Sequence, residues 1–516
     1  MKEKLNALLQ EKTYFLLLLP LFFIFHGYNA FFSFFPLHFV LLNLVITLLA
    51  TVLLYLLSYW LIKNKRKAAI FSFWILLLLL SFGFLHDSLK KIVGTNFFSS
   101  YKIILPLIFT ILIAIWLFIK KCNGTFKRFF LFLNILLPLF IGYELFTSIN
   151  NFLAYKKDKH LLDNRFSVYY QAEKNIKQPD TAKPDIYFLV FDALPSTAAM
   201  QQAWNFNNNI LDSFLQNESF YVVPRSKSNY NLTVLSVSST LNMDYTPPVD
   251  LYQDETKLYF KAAASLLDNS LLRYLKEAGY DIKQYQPVSF VNKDWNGDLF
   301  FPDMLYMNYF YQTLPGRVYR DLGWNFSQLK TKFIKKQDLA SYEKRNNDHK
   351  NDLLQTTLLI KNSCAMNKPK PQFVYAHYQL PHDPYIYDSL GNLKPVEKTI
   401  TYKEEEQPAA FIEQVKFANK IIQQLVTHIR QTNKPNTVII IEGDHGFRNI
   451  YGKKGYMIYD NFSAFYFPDR NYKDLYPTIS PVNSFRVVLN NFFETKLPLL
   501  KDSSIFIPYT LPGEKE

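Results

Sequence analysis

Residues 1–150 hold five apolar runs in succession, at about 14–34, 37–62, 69–86, 103–120 and 128–148. Each is close to the roughly 20 mostly apolar residues that carry a helix across about 30 Å of hydrocarbon. A helix satisfies its own backbone hydrogen bonds without water, so such a run spans as a helix. Five of them in line leave buried soluble helices a poor alternative. The first run is too long, and lacks the small-residue cleavage site, for a simple removable signal peptide. The expected organisation is a membrane domain of five helices over residues 1–150, a polar juxtamembrane linker over 151–183 and an outer domain over 184–516. The near-zero mean hydropathy of the whole chain averages two unlike halves.

Basic residues near the span ends set the orientation. Lys2, Lys4 and Lys12 precede the first run, and Lys63, Lys65, Arg66 and Lys67 separate the second from the third. Lys120, Lys121, Lys127 and Arg128 separate the fourth from the fifth. The stretch from His26 to Pro36 has no Lys or Arg, whereas Lys90, Lys91 and Lys102 count the other way. The balance places the N-terminus in the cytoplasm. An odd number of spans then puts everything past residue 150 on the outer side of a bacterial cytoplasmic membrane, multi-pass and periplasmic or extracellular.

The net charge of +14 is carried largely by these loops and by scattered lysines. No basic helix or aromatic-basic strand accompanies it, which argues against nucleic acid and for anionic headgroups. Cys122 and Cys364 fall on opposite sides of the membrane in this arrangement and cannot pair. The spans show no convincing buried acid or arginine of the kind that marks a transport path.

In the outer half, apolar strand patterns alternate with helical ones. The run Asp185–Phe191 reads as a strand buried on both faces, followed by a helix from about Ser196 to Leu215. An amphipathic helix from Leu271, stopped by Gly279, leads into the strand Asp281–Tyr285. A strand over Phe373–Ala376, a helix over Ala409–Thr432 and a strand over Thr437–Ile441 follow. This alternation predicts an α/β domain with a mostly parallel central sheet. Sites in such sheets gather at the carboxyl ends of strands. Asp192, the pair His377 and His382, and the run Asp444-His445-Gly446 each come at or just beyond such an end, which places them on one rim.

Asp444 and His445 offer an oxygen and a nitrogen donor in consecutive positions, with Gly446 behind them to let the backbone turn. Asp192 adds a second carboxylate. A mixed set of this kind suits one divalent ion, zinc, manganese or magnesium, rather than a thiolate-selected metal. A cation also lowers the pKa of a hydroxyl and orients it for attack. Thr233 is one candidate hydroxyl, and Ser228, Ser236, Ser238 and Ser239 compete with it on composition. His377 and His382 are candidates to bind substrate oxygens or protonate a leaving group, and Arg448 to contact an anion.

These motifs resemble the alkaline phosphatase/sulfatase superfamily in its membrane-anchored bacterial branch, which includes lipoteichoic acid synthases and lipid A phosphoethanolamine transferases. The resemblance covers about residues 184–510. It rests on Lys-Pro-Asp-Ile-Tyr-Phe-Leu-Val-Phe-Asp192, Ser-Asn-Tyr-Asn-Leu-Thr233, Pro-His382-Asp-Pro-Tyr, Glu-Gly-Asp444-His445-Gly446 and the late Ser-Pro-Val-Asn483-Ser-Phe-Arg486. It implies an alkaline-phosphatase-like catalytic domain in which Asp192, Thr233, Asp444 and His445 hold the metal. It also implies that Thr233 carries a covalent phospho-type intermediate and that His382 binds substrate or donates a proton.

The Cys/Ser-x-Pro-x-Arg motif that sulfatases mature to formylglycine is absent, since Cys364 lies in Lys-Asn-Ser-Cys-Ala-Met-Asn. A second Asp-His-His group is also not evident. The expected function is a metal-dependent phosphotransferase outside the cytoplasmic membrane, moving a headgroup from a phospholipid to an envelope acceptor such as a glycan. Hydrolysis of a phosphodiester or sulfate ester, and a non-catalytic envelope-binding role, are the alternatives.

Overall fold

A computed structural model describes residues 2–30, 32, 37–94, 96–157, 183–245, 262–263, 265–266, 269–285, 292–293, 299–300, 309–322, 336–364, 368–433, 435–448 and 457–507. Most of the expected linker 151–183 lies outside the described residues. The chain forms two compact units. One comprises Met1–Lys159, Val291–Lys332 and Thr510–Glu516; the other comprises His160–Phe290 and Phe333–Tyr509.

The first unit contains α1 (Lys2–Glu11), α2 (Phe15–Ala30), α3 (Leu37–Ile62), α4 (Lys65–Val93), α5 (Tyr101–Lys121) and α6 (Lys127–Lys157). The helices α3, α4 and α5, and Lys127–Leu153 of α6, are long and apolar enough to cross a membrane. The expected first span is shorter than its apolar run, because α2 is helical for 16 residues. The break before it is closed by Asn134 of α6. This side chain accepts the Phe15 N–H at 2.9 Å and donates to the carbonyls of Leu9 and Lys12 at 2.8 Å each. Backbone groups orphaned at a helix junction are thus satisfied by one buried amide.

Leu41, Leu42, Leu49, Leu53 and Leu57 point outward from α3, as an apolar helix in hydrocarbon requires. The spans do hold a buried acid, against expectation. Glu144 of α6 receives Asn29 Nδ2 at 2.6 Å and lies 2.8 Å from His26 Nδ1. The two partners sit on α2, so sequence distance concealed the pairing.

Residues 309–322 pack on the same helices. Tyr309 donates to the Ile24 carbonyl at 3.2 Å, the Gly83 N–H donates to the Gln312 carbonyl at 2.8 Å, and Arg317 forks onto Asp87. A Cβ on Gly27 would come within 2.6 Å of the Tyr309 ring, and one on Gly83 within 2.5 Å of Gln312. Glycine at both positions permits the contact. The short pair β4 (Asn292–Lys293) and β5 (Leu299–Phe300) also belongs to this unit.

The second unit is built on a six-stranded sheet of order β2-β8-β7-β1-β6-β3. The strands are β1 (Asp185–Phe191), β2 (Tyr221–Val222), β3 (Asp281–Tyr285), β6 (Gln372–Tyr378), β7 (Thr437–Gly443) and β8 (Ser463–Tyr466). Neighbours among β7, β1, β6 and β3 pair in parallel, and β8 runs antiparallel to β7 and to β2. Along β1, Tyr187, Leu189 and Phe191 enter one core, while Ile186, Phe188 and Val190 enter the other. That two-sided burial explains the unbroken apolar run. Asp185 is buried at the opposite end, bonded to the Gln372 N–H at 3.0 Å and to Lys368 at 3.3 Å. The expected helix from Ser196 to Leu215 is two helices, Thr197–Trp204 and Asn209–Asn217. Asn205 ends the first in the left-handed region, at φ 53°.

Candidate active site

Strand register brings the site together. Phe191, the last residue of β1, pairs with Tyr378 of β6 and Gly443 of β7. The next residue on each side, Asp192 and Asp444, therefore emerges at the same level of the rim. The pairing continues past the sheet, since the Asp192 N–H donates to the Tyr378 carbonyl at 2.9 Å and the His382 N–H to the Asp192 carbonyl at 3.1 Å. At the end of β7 only glycine fits. A Cβ on Gly443 would sit 2.1 Å from the Leu194 carbonyl oxygen, and one on Gly446 1.8 Å from that of Met457. The role of Gly446 is thus close backbone approach.

His445 is fully buried, and its Nδ1 lies 2.6 Å from the Gly446 carbonyl. That acceptor places the proton on Nδ1 and leaves Nε2 as a lone-pair donor. Three oxygens surround Nε2: Thr233 Oγ1 at 3.3 Å, Asp192 Oδ1 at 3.3 Å and Asp444 Oδ2 at 3.5 Å. Asp192 Oδ1 and Asp444 Oδ2 are buried with no hydrogen-bond donor. Such atoms are rare, and a cation explains them. The other Asp444 oxygen is fixed by the N–H groups of Ala193 and His445, each at 2.9 Å. Ala193 adopts φ 63° to deliver its bond, a left-handed backbone that a non-glycine residue holds at a cost of roughly 1–3 kcal/mol. The donor set of two carboxylate oxygens, an imidazole nitrogen and a hydroxyl fits one hard divalent ion.

Thr233 opens the helix Thr233–Asn242, whose preceding residue Leu232 offers no side-chain cap. The competing serines are turned away from the rim. Ser228 and Ser236 donate to the Tyr230 carbonyl, Ser239 to the Ser236 carbonyl, and Ser238 meets Ser265. Arg448 donates to Thr233 Oγ1 at 3.3 Å and also contacts His445 Nε2.

His377 Nε2 lies 3.6 Å from Asp192 Oδ2, and its Nδ1 is 3.1 Å from the Tyr375 hydroxyl. His382 Nδ1 is 3.0 Å from Asp383 Oδ1. Both histidines come within metal-ligand reach of Asp192, in the groups Asp192–His382–His445 and Asp192–His377–Asp444. All seven candidate residues therefore converge.

Burial alone raises the Asp192 pKa, but the charge on His382 and the imidazoles of His377 and His445 outweigh it and hold the carboxyl well below the usual range. For His382, burial pulls down while Asp192 and then Asp383 push up, and the result is about 10. Asp383 was not singled out from sequence, although it is the neighbour that orients His382.

Glu442 was likewise missed. It points to the far side of β7, against Ser463 at 3.5 Å and Ser484, and burial pushes its carboxyl up to about 8. The late Asn483 and Arg486 are structural: Asn483 binds the Leu500 carbonyl and N–H at 2.8 Å each, and Arg486 donates to the Met243 carbonyl at 2.8 Å. The two cysteines are free and lie in different units.

A family model described as Sulfatase matches residues 200–479, a stretch holding every candidate residue except Asp192. No curated protein matches the chain. Among solved structures it is similar to the integral membrane protein lipooligosaccharide phosphoethanolamine transferase A (EptA) from Neisseria meningitidis, at 11% identity over 93% of this chain and 95% of that one, with a TM-score of 0.36. It is also similar to the C-terminal periplasmic domain of EcEptC from Escherichia coli, at 13% identity over 66% and 94%, with a TM-score of 0.38. A third is the phosphonate monoester hydrolase of Agrobacterium radiobacter, at 11% identity over 60% and 74%, with a TM-score of 0.35.

Proposed function

Because the chain belongs to the sulfatase family, we propose that it is a metal-dependent phosphotransferase that moves a phospho-type headgroup from a phospholipid to an envelope acceptor outside the cytoplasmic membrane. One observation carries this reading. Thr233 Oγ1 and the donorless oxygens of Asp192 and Asp444 surround the lone-pair nitrogen of His445. Asp192, Thr233, Asp444 and His445 would hold the ion. When bound, it lowers a hydroxyl pKa and polarises a phosphoryl oxygen.

The chain's own residues do the rest. Thr233 Oγ attacks phosphorus, the bond from phosphorus to the lipid glycerol oxygen breaks, and the phosphoryl group with its small substituent stays on Thr233. The hydroxyl proton leaves to solvent. His382, with Nδ1 3.0 Å from Asp383 Oδ1, gives its proton to the departing oxygen. Arg448, already bonded to Thr233 Oγ1, neutralises charge on the transferring group, and His377 orients it from the Asp192 side. The acceptor hydroxyl then attacks the same phosphorus and passes its proton to His382, and Thr233 takes a proton back. A threonine here, without the formylglycine motif, favours phosphate over sulfate. A membrane anchor favours a lipid donor by keeping the centre near headgroups.

The test is to incubate the full chain with zinc and a phospholipid and to seek a phospho-type mass adduct on the peptide holding Thr233. Thr233→Ala should abolish adduct and transfer, and Thr233→Ser should retain part of both. If Thr233→Ala keeps more than about one tenth of the wild-type rate, the covalent route is wrong.

A further inference from the structure

In the membrane unit, α2 and α4 line a cavity of about 610 Å³. It follows α2 from Leu19 to Ala30 and α4 from Leu77 to Lys91. At about 1.5 Å per residue these stretches run about 16 and 21 Å, the depth of one leaflet in a bilayer whose hydrocarbon is about 30 Å thick. The wall is graded along that length. Leu19, Phe22 and Leu77 line the deep part, whereas His26, Asp87 and Lys91 lie toward the helix ends.

Two of the three ionisable groups at the mouth are already matched. Asp87 takes the guanidinium fork of Arg317, and His26 lies 2.8 Å from Glu144. Lys91 makes no ion pair with any described residue. Among the described residues the mouth therefore carries one positive charge without an ion-pair partner, above an apolar shaft.

We propose that this cavity holds one acyl chain of a phospholipid, with the lipid phosphate on Lys91. Of the two helices that line it, α4 is long and apolar enough to span and α2 is a shorter apolar helix, which sets the cavity at hydrocarbon depth, where an apolar shaft takes up lipid chains rather than water. Its volume lies within the range of about 300–1,000 Å³ typical of small-molecule sites. A bound chain aligned with the helices leaves the headgroup at the outer ends of α2 and α4. That the lipid serves as donor rests on the phosphotransfer reading; its occupancy of the cavity does not.

The experiment uses the full chain in nanodiscs of equimolar phosphatidylethanolamine and phosphatidylglycerol, moved into lipid-free detergent and weighed by native mass spectrometry. The wild type should retain about one phospholipid per chain. Ser81→Phe, which puts a ring into the shaft, should lower retention about tenfold, and Lys91→Glu should lower it most for phosphatidylglycerol. Leu49→Phe, on the outward face of α3, should retain as much as the wild type. Lys91→Glu leaves helix packing intact and serves if Ser81→Phe does not fold. Equal retention in wild type, Ser81→Phe and Lys91→Glu, or retention of detergent alone, overturns the proposal. Lipid lost from the variants, with no transfer by the wild type, leaves the cavity standing and sinks the donor reading. Transfer by the wild type with equal retention in all chains does the reverse.

Discussion

Replacing Asp444 by Asn separates a metal ligand from a structural carboxylate, because the two roles predict opposite signs. Asp444 Oδ1 accepts two backbone N–H groups at 2.9 Å, and an asparagine Oδ1 can keep both. Asp444 Oδ2 has no donor and faces His445 Nε2 at 3.5 Å. An amide NH₂ there would remove the orphaned acceptor and share that lone pair with Arg448, since the His445 proton is committed to Gly446 on the other nitrogen. A buried acceptor without a partner costs about 1–3 kcal/mol. In chelator, Asp444→Asn should therefore stabilise the protein by about that amount.

With zinc at a hundredfold excess over its Kd, the wild type should gain about 2.7 kcal/mol and the variant much less. At about 2 °C per kcal/mol for a large domain, the variant should melt about 2–6 °C above the wild type in chelator. Zinc should then lift the wild type by about 5 °C. The assay is a thermal melt of the detergent-solubilised chain in chelator and in zinc. A variant that melts below the wild type in chelator, or an equal zinc shift in both, would refute the reasoning.

Three other outcomes are expected. Glu442 binds its proton more tightly folded, at about 8, than at the ordinary value of 4.5, so stability should fall as pH rises from about 4.5 to about 8. Glu442→Gln should flatten that slope in denaturant titrations taken at several pH values. For His382, raised to about 10, the pair with Asp192 and Asp383 stabilises fully below about 6.5 and is lost as pH rises through about 10. His382→Gln should remove that alkaline loss in chelator and lower transfer by about 10²–10⁴. In the membrane unit, Arg317→Leu breaks the fork on Asp87 and should cost about 1.5–3 kcal/mol. Limited proteolysis within residues 309–322 should accelerate accordingly, and an unchanged cleavage rate would show that the fork does not hold that segment.

Much of this molecule follows from patterns that are local along the chain. Apolar length marks α3 to α6, because a helix must bury about 20 residues to cross hydrocarbon. The two-sided burial of Asp185–Phe191 and Thr437–Gly443 marks central strands, and the rule that parallel strands expose sites at their carboxyl ends puts Asp192, Asp444 and His445 on one rim.

Other features depend on contacts between residues far apart in the chain. Composition alone leaves Thr233 and four nearby serines equivalent, and only the folded helix turns Thr233 toward His445, 212 positions away. Glu442 and Asp444 differ by two residues on one strand-to-loop path, yet one is a buried acid under the sheet and the other a rim ligand candidate. Glu144 looks like an isolated charge until α2 brings His26 and Asn29 against it, and residues 309–322 look like part of the outer domain until Gly27 and Gly83 admit them to the membrane helices. Periodicity records which face of an element is dry. Which partner makes it dry is a matter of long-range packing, and there the tertiary structure decides.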